Sequence, residues 1–181
     1  MRRRAECRAG LAASTALRPE NSDPTPGEGK MRAREFDIKL IDLDIEEFKN
    51  LLDVFREVFD WGGRDHPDEE YLLCLLRGEN LLVVVAKAEN EVVGGLTAYV
   101  LPGYELARPS VYVHNLGVKK SFQGQRVGKS LIGHLMDHAR NNNFHDIFVD
   151  TEQDDNEDVI AFYRKTPFDS ETKVLQYAVK L

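Results

Sequence analysis

The chain has 181 residues, of which 42% are apolar and 30% are charged, and this composition is typical of one globular domain with a packed core. Its formal net charge of −7 argues against a nucleic-acid-binding protein, which needs a basic face. No apolar run reaches the roughly 18 residues that a membrane span requires, so we expect no membrane association. The two cysteines, Cys7 and Cys74, are too few for a disulfide framework or a zinc site. We therefore expect no metal and a reducing, cytoplasmic compartment.

The first thirty residues differ from the rest of the chain. They show no sustained hydrophobic period and end in a run of Asn, Ser, Asp, Pro and Gly at 21–29, which is typical of a linker. We expect residues 1–30 to be a disordered extension and residues 31–181 to form a single domain. That domain carries 18 basic and 27 acidic residues, a balance compatible with a small cationic partner drawn to a negative cleft.

The remaining chain predicts strands and helices around one sheet, a mixed α/β (α+β) fold. Alternating apolar residues predict strands, and apolar residues spaced by three and four predict helices. In chain order these are a strand at 36–40, a helix from Asp44 to Phe59, a helix at 68–77, strands at 81–88 and 91–101 that form a hairpin, a strand at 111–118, a helix that carries Val127 to Ala139, a strand at 146–151, a helix at 156–165 and a final strand at 171–181. Cys74 stands among four leucines, and we expect it to be a small buried hydrophobe.

A polar turn joins the strand at 111–118 to the helix after it, with the sequence Gln123-Gly124-Gln125-Arg126-Val127-Gly128-Lys129. The first N–H groups of a helix lack partners within the helix, and with two cations beside them they form a natural phosphate site. A dinucleotide-binding turn would need closely spaced glycines after the first strand, and a P-loop would need glycine where Gln123 stands. The turn therefore indicates a pyrophosphate ligand held by a different kind of loop.

This run resembles the pyrophosphate loop of the GNAT superfamily of N-acetyltransferases, whose pattern is Gln/Arg-x-x-Gly-x-Gly/Ala. Gln123 and Gly128 match, whereas Arg126 replaces a glycine, the residue that best tolerates a positive φ. Residues 160–165, Ile-Ala-Phe-Tyr-Arg-Lys, resemble the family's helix ending in Tyr-x-Lys, with Pro167-Phe168 in place of Gly-Phe. The resemblance runs from residue 36 to the end. It implies a mixed, mostly antiparallel sheet flanked by helices, with acetyl-CoA (coenzyme A) as cofactor.

A narrower resemblance is to the aminoglycoside 3-N-acetyltransferases. It is carried by Ala98-Tyr99-Val100-Leu101-Pro102, Glu105, Tyr112, Leu116 and Val118, and in the helical region by Phe55, Phe59, Pro67, Tyr71, Leu75, Leu76 and Arg77. It implies an enzyme that transfers acetyl from acetyl-CoA to the 3-amino group of an aminoglycoside antibiotic, and thereby confers resistance. The amine, a small cationic substrate, would attack the thioester directly, and the resemblance also favours a homodimer.

The resemblance implies a role for most residues of this region. The Leu116 N–H would polarise the thioester carbonyl, and the N–H groups of 124–129 would hold the pyrophosphate. Asn156 would contact the pantetheine or simply cap its helix, and the Tyr163 hydroxyl would protonate the departing sulfur or only pack on the sheet. The implied cofactor-binding residues are Leu116, Gly117, Val118, Gln123, Gly124, Gln125, Arg126, Val127, Gly128, Lys129, Asn156 and Tyr163.

The proton acceptor does not follow from the resemblance. The aminoglycoside enzymes carry Asp where this chain has Asn115, and Asn can hydrogen-bond an amine but cannot take its proton. The candidates are His114, Asp150 and Glu152. Strict alternation along the strand puts His114 on the opposite face from Asn115, so we favour Glu152, acting directly or through water. The expected catalytic residues are Tyr163, Glu152 and Asn115, and the expected substrate-binding residues are Glu105, Asn115, Asp150 and Glu152.

Two alternatives remain open. The same fold could acetylate another amine, a polyamine or a protein lysine, because Asn115 departs from the aminoglycoside pattern. The chain could also be a CoA-binding module that has lost catalysis, which Arg126, Asn115 and Pro167 together permit. Asp150 and Glu152 would then only face solvent.

Overall fold

The computed structural model describes residues 35–63, 65–152 and 156–180. The expected disordered extension at 1–30 lies outside these residues and stays a prediction, as does the assignment of 31–181 to a single domain.

Four α-helices lie in this part of the chain: α1 (Ile45–Phe59), α2 (Glu69–Arg77), α3 (Val127–Asn141) and α4 (Glu157–Tyr163). An aspartate caps each of the first two helices, because Asp44 accepts a hydrogen bond from the Glu47 N–H (3.0 Å) and Asp68 accepts one from the Tyr71 N–H (2.7 Å). Both helix starts were predictable from these caps. Within the described ranges, none of the helices has the length and apolar character needed to cross a membrane.

The five strands are β1 (Asp37–Leu40), β2 (Leu81–Ala88), β3 (Glu91–Leu101), β4 (Ser110–Val118) and β5 (Ile147–Val149). They form one sheet in sequence order; β1 to β4 are antiparallel neighbours, and β5 runs parallel to β4. Glu89 and Asn90 join β2 to β3 with φ of 51° and 71°, the left-handed turn that fits a two-residue hairpin. The predicted mixed, mostly antiparallel sheet is confirmed.

Helices cover the two faces of the sheet. The α1 face packs Leu51 and Phe55 against Val83 and Val85. The α3 face packs Leu131 and Leu135 against the sheet residues Val84, Leu96, Ala98, Val111, Val113 and Val118. Helix α1 lies so close to β3 that a Cβ built on Gly95 would be 2.5 Å from a methyl carbon of Leu51. Each face therefore has its own close-packed apolar layer.

Strand β4 contains a β-bulge at His114. Thr97 of β3 pairs with Asn115 and Ala98 pairs with Val113, so His114 has no partner of its own in β3. Before the bulge Val111 and Val113 face α3, and after it Leu116 and Val118 face α3. Gly117 instead faces α1, since a Cβ there would lie 3.0 Å from Phe55 Cδ1.

The bulge places His114 on the α1 face. Its ring centroid lies 5.6 Å from that of Tyr99 and 5.8 Å from that of Tyr112, two residues that pair across β3 and β4. Tyr112 stands between Val111 and Val113 and therefore points to the α1 face. The expectation that His114 lies opposite Asn115 was wrong, because alternation holds only where neither strand carries an extra residue.

Two other expectations were wrong. Residues 168–180 form neither helix nor strand, and Val174, Leu175, Tyr177 and Val179 are 68–89% exposed. The alternating pattern at 171–181 predicted a strand, but a strand also needs a neighbour to take its hydrogen bonds, and none pairs with it among the described residues. Cys74 is exposed because it falls on the outer side of α2, whereas Leu72 is buried.

Candidate functional site

The start of α3 provides unshared backbone N–H groups next to cations. Arg126 is the N-cap residue, with φ 70° and ψ 4°, and its side chain makes no capping hydrogen bond. The Ser130 N–H makes the first helical bond to the Arg126 carbonyl (3.0 Å), so the N–H groups of Val127, Gly128 and Lys129 precede that bond. Arg126 and Lys129 are exposed, and neither forms an ion pair with another described residue. This donor set fits a pyrophosphate.

Two glutamine side chains fix the loop before α3. The Gln123 amide donates to the Val118 carbonyl (3.0 Å), and the Gln125 amide donates to the Ser121 carbonyl (2.9 Å). Gly124 adopts φ 74°, and a Cβ there would have no atom within 4 Å. The two glutamines therefore position the loop against the end of β4, and Gly124 leaves its outer side open to a ligand.

One edge of β4 is open beyond the bulge. Strand β5 pairs only with residues 111–113 of β4. On the other edge, the Lys119 N–H donates to the Val93 carbonyl of β3 (2.9 Å), and backbone groups alternate between the two edges of a strand. The backbone groups of Leu116 and Val118 consequently point away from β3, past the end of β5. The Val118 carbonyl accepts its bond from Gln123 on this open edge.

Helix α4 closes on the same place. A Cβ built on Gly128 would lie 3.0 Å from Phe162 Cζ and 3.6 Å from Leu116 Cδ2. The start of α3, helix α4 and the open edge of β4 therefore meet at Gly128, and a larger residue there would force them apart. The sequence predicted Gly128 to be a cofactor-binding residue. In the structure, its lack of a side chain allows α4 and β4 to pack against the start of α3.

Tyr163 follows Phe162 in α4 and is half-buried. Its ring centroid lies 5.1 Å from that of Phe162 and 5.9 Å from that of Phe168. Burial raises the pKa of the Tyr163 phenol from its ordinary value of 10 to about 12. The hydroxyl is protonated at neutral pH, as any tyrosine is, and burial makes it a weaker acid that can still donate a hydrogen bond.

Asn156 stands at the start of α4 without capping it through its side chain. The prediction that Asn156 simply caps its helix was therefore wrong for the side chain. Its amide group remains free to contact a ligand.

A mixed aromatic and polar surface lies on the α1 face beyond the end of α1; we call it the aromatic patch and define it as Tyr99, Tyr112, His114 and Phe148. Phe148 of β5 is 39% exposed, and its ring lies 5.3 Å from that of Tyr112. Asn115 adjoins the patch, and its amide approaches the Thr97 hydroxyl at 3.5 Å, which is the outer limit of a hydrogen bond. The bulge thus brings His114 and Asn115 together on one face.

The carboxylates expected to bind substrate are all exposed. Asp150 and Glu152 directly follow β5, whereas Glu105 lies in the exposed connection between β3 and β4. Asp150 and Glu152 therefore adjoin the open edge of β4 in the fold, since β5 ends where that edge begins. No described side-chain contact joins Glu105 to these residues.

Sequence reasoning missed the aromatic patch and, although it named His114 as a candidate base, placed that residue on the wrong face; the signal for the correct face was present. The apolar β4 residues that pack on the α3 face are Val111, Val113, Leu116 and Val118, and the gap of three between 113 and 116 interrupts an otherwise strict spacing of two. Such an interruption indicates a bulge. The spacing alone would have placed His114 on the same face as Asn115.

Comparisons with known proteins agree with this arrangement. A family model described as "Acetyltransferase (GNAT) family" matches residues 47–168. No curated protein sequence matches the chain. Among solved structures, an aminoglycoside acetyltransferase, meta-AAC0020 from an uncultured soil metagenomic sample, in complex with sisomicin, is 32% identical with a TM-score of 0.78. The alignment covers 81% of this chain and 96% of that one.

Two further structures are similar. The aminoglycoside acetyltransferase HMB0005, also from an uncultured soil metagenomic sample, is 25% identical with a TM-score of 0.76, over 81% of this chain and 99% of that one. AAC(6')-Iy in complex with a bisubstrate analog, CoA-S-monomethyl-acetylneamine, is 21% identical with a TM-score of 0.65, over the same shares of the two chains. At that identity the last comparison shows a common fold alone.

Proposed function

Because this chain belongs to the GNAT family of acetyltransferases, we propose that it transfers acetyl from acetyl-CoA to an amine of an aminoglycoside antibiotic. The observation that carries this proposal is the open edge of β4 at Leu116 and Val118, beside the uncapped start of α3. Such an edge binds an extended amide chain, and such a helix start binds phosphate. Acetyl-CoA, when bound, supplies an activated acyl carbon that accepts the amine.

We assign the cofactor to the chain's own groups as follows. The N–H groups of Val127 to Lys129 hold the pyrophosphate, with added charge from Arg126 and Lys129. Backbone groups of Leu116 to Val118 pair with the pantetheine arm, and Asn156 contacts it from α4. The outward N–H of Leu116 then meets the thioester carbonyl and stabilises negative charge on its oxygen.

Tyr163 is the proposed proton donor to the leaving thiolate. The contact of Phe162 with Gly128 places α4 beside Leu116, and this position supports the assignment. The phenol is protonated at neutral pH, and because burial raises the pKa of Tyr163 to about 12 it is a weaker acid than a tyrosine in water. Its proposed part is to hydrogen-bond the sulfur and pass on its proton as the carbon–sulfur bond breaks.

An aminoglycoside is the proposed acceptor, and its 3-amino group is the proposed site. A protein 32% identical to this chain binds sisomicin, which supports a polyamine-rich sugar as substrate. Asp150, Glu152 and Glu105 supply carboxylates for its ammonium groups, and Asn115 hydrogen-bonds the reacting amine. For the proton acceptor, the sequence favours Glu152, and the bulge removes the objection to His114 by placing it on the same face as Asn115.

The decisive experiment is release of CoA thiol from acetyl-CoA with gentamicin, sisomicin and spermidine as separate acceptors. We expect turnover with the aminoglycosides and an acetyl group on the 3-amino position by mass spectrometry and NMR of the product. Acetylation at the 6'-amine would refute the regiochemistry, and turnover with spermidine alone would refute the acceptor. Calorimetric binding of acetyl-CoA without turnover on any amine would mean a CoA-binding module.

Cytoplasmic action and antibiotic resistance belong to the same proposal. Expression in a susceptible bacterium is expected to raise the inhibitory concentration of the aminoglycosides that are acetylated in vitro, and Tyr163→Phe is expected to reduce that protection. Unchanged inhibitory concentrations, with active enzyme in the cytoplasmic fraction, would refute the resistance role.

We also propose a homodimer in which the segment 171–180 covers a second copy. Its apolar side chains Val174, Leu175, Tyr177 and Val179 are largely exposed, and the Arg164–Glu171 ion pair (2.8 Å) ties the start of this segment to the end of α4. An exposed alternating segment is a suitable strand for pairing with another chain. Light scattering is expected to give a dimer for the full chain and a monomer for Leu175→Asp with Tyr177→Asp; a monomeric full chain would refute this.

A further inference from the structure

We propose that the imidazole of His114 is the group that removes the proton from the acceptor ammonium. This inference rests on the proposed function and specifies a residue of its site. It starts from the bulge, which turns His114 to the same face as Asn115 and Gly117, two residues before the outward N–H of Leu116. No other histidine in the described chain lies on this strand.

The position of His114 is fixed by the sheet. Its ring contacts the rings of Tyr99 and Tyr112, with interplanar angles of 62° and 57°, and both tyrosines belong to paired strands. His114 itself is exposed. A side chain held by two neighbours and open on its outer side can meet a bound amine without a large loss of conformational freedom.

The aromatic patch also suits the acceptor. Its flat, partly exposed rings (Tyr99, Tyr112 and Phe148) offer apolar surface to the faces of sugar rings and π-electrons to their ammonium groups. Exposed carboxylates flank Phe148 in the sequence: Asp146 precedes β5, and Asp150 and Glu152 follow its end. An aminoglycoside held there has an amine at the same face as His114.

The other candidates fit this role less well. Asn115 has no basic nitrogen and is turned toward the Thr97 hydroxyl. Glu152 follows the end of β5, and no described side chain fixes its exposed carboxylate. Glu152 and Asp150 therefore attract the ammonium groups that do not react, while imidazole, the side chain that most readily exchanges a proton near neutral pH, serves the one that does.

The proton balance is simple. One N–H bond of the acceptor ammonium breaks, and its proton forms an N–H bond with the unprotonated ring nitrogen of His114. The electron pair of the broken bond stays on the amine as the lone pair that makes it a nucleophile. His114 then returns the proton to solvent on its exposed side.

The test compares His114→Asn with Glu152→Gln and with His145→Asn, a matched exposed histidine outside the site. We expect His114→Asn to lower kcat about 100-fold, with the KM for acetyl-CoA and the melting temperature close to wild type. We expect Glu152→Gln to raise the acceptor KM with little loss of kcat, and His145→Asn to have no effect. His114→Gln repeats the measurement if the first variant melts early.

A second readout does not depend on turnover. In protein labelled with ¹⁵N-histidine, the His114 ring signals, assigned by their loss in His114→Asn, should shift when sisomicin saturates the site. Ring signals that do not move at saturation would overturn the proposal, as would a His114→Asn variant with kcat within threefold of wild type. A wild-type protein that acetylates no amine would instead defeat the proposed function, together with this inference.

Discussion

Arg126 occupies a backbone conformation that favours glycine. Its φ of 70° at the start of α3 is the left-handed region, which costs an L-residue with a Cβ roughly 1–2 kcal/mol. The same residue brings a guanidinium to the loop where the pyrophosphate is proposed to bind. The chain therefore gives up backbone stability at this position and gains a cation beside the proposed phosphate site.

A pair of substitutions separates these two effects. Arg126→Gly and Arg126→Ala both remove the guanidinium, but only glycine relieves the backbone. We expect Arg126→Gly to be more stable than Arg126→Ala by about 1 kcal/mol in urea unfolding, and the KM for acetyl-CoA to rise about threefold to tenfold in both. Equal stabilities would contradict the strain, and an unchanged KM would contradict the phosphate contact.

The variant Tyr163→Phe tests both the stability and the catalytic role that we predict for Tyr163. The pKa of Tyr163 is raised to about 12 in the folded protein and is about 10 in the unfolded chain, so the folded state holds the proton more tightly. The stability that this provides is present below pH 10 and is lost as the pH rises toward 12. At about pH 11 the free energy of unfolding of the wild type should therefore be roughly 1 kcal/mol lower than below pH 10, and Tyr163→Phe should not show this decrease.

Urea unfolding of both proteins at pH 9 and 11 measures this difference, since all other groups titrate alike in the two. The kcat of Tyr163→Phe should fall at least about tenfold at neutral pH, because the thiolate leaves without its proton donor. Wild-type turnover in the variant would exclude the proton-donor role, and parallel stability curves would exclude the raised pKa.

The polar loop before α3 could be located from sequence, whereas the face on which His114 lies could not. A loop motif places its chemistry within a few consecutive residues, so Gln123 to Lys129 could be found without a fold. The orientation of His114 depends on how β4 pairs with β3, and the rule of strict alternation gave the wrong face. The interrupted spacing between Val113 and Leu116 indicates the bulge, but only as one irregularity in an otherwise alternating strand.

At the scale of elements, a glycine in α3 allows α4 to pack closely against it. Phe162 of α4 occupies the space in which a Cβ of Gly128 would lie, and a Cβ there would be 3.0 Å from its ring. Gly133 lies in the same helix, and a Cβ there would meet nothing within 4 Å. The two glycines therefore form a natural comparison.

Alanine at each position tests this packing. We expect Gly133→Ala to gain about 0.5–1 kcal/mol in stability, because alanine favours a helix more than glycine does. Gly128→Ala should fall short of that gain by about 1 kcal/mol, since Phe162 has to move, and its KM for acetyl-CoA should rise. Equal increases in the free energy of unfolding for both variants would show that Phe162 can move away from position 128 without destabilising the protein.

The elements themselves followed from sequence wherever their pattern was local. Aspartate caps and apolar spacing were enough for α1 and α2, and the hairpin of β2 and β3 has the predicted bounds. The expected strand at 171–181 failed because its pattern specifies a face to bury but not the strand that would lie beside it. The alternation of residues within one segment carries no information about which distant strand will pair with it.

At the scale of the whole molecule, we expect the net charge to attract the proposed aminoglycoside acceptor. The chain carries −7 overall, and aminoglycosides carry several positive charges. Attraction of this kind weakens as added salt shortens the screening length, which is roughly 10 Å at 0.1 M. Asp150 and Glu152 are the exposed carboxylates through which we expect this attraction to act on the acceptor.

We therefore expect the KM for gentamicin to rise several-fold between about 0.1 and 0.5 M salt, with kcat nearly constant. The double variant Asp150→Asn with Glu152→Gln should flatten this dependence. Glu79→Gln, which removes an exposed carboxylate before β2, should leave it as in wild type. Equal salt dependence in all three proteins would show that the acidic residues after β5 do not attract the acceptor.

The extra residue in β4 has a consequence for how this strand can vary. In the first half of the strand the odd-numbered residues Val111 and Val113 face α3, and in the second half the even-numbered residues Leu116 and Val118 do so. Deleting His114 would make Val113, Asn115 and Leu116 consecutive, so simple alternation would keep all four apolar residues on the α3 face and the ladder with β3 would close without a bulge. The extra residue is therefore not needed for packing against α3. What it adds is one more side chain on the α1 face beside Asn115, and a strand without the bulge would keep the core and lose that side chain.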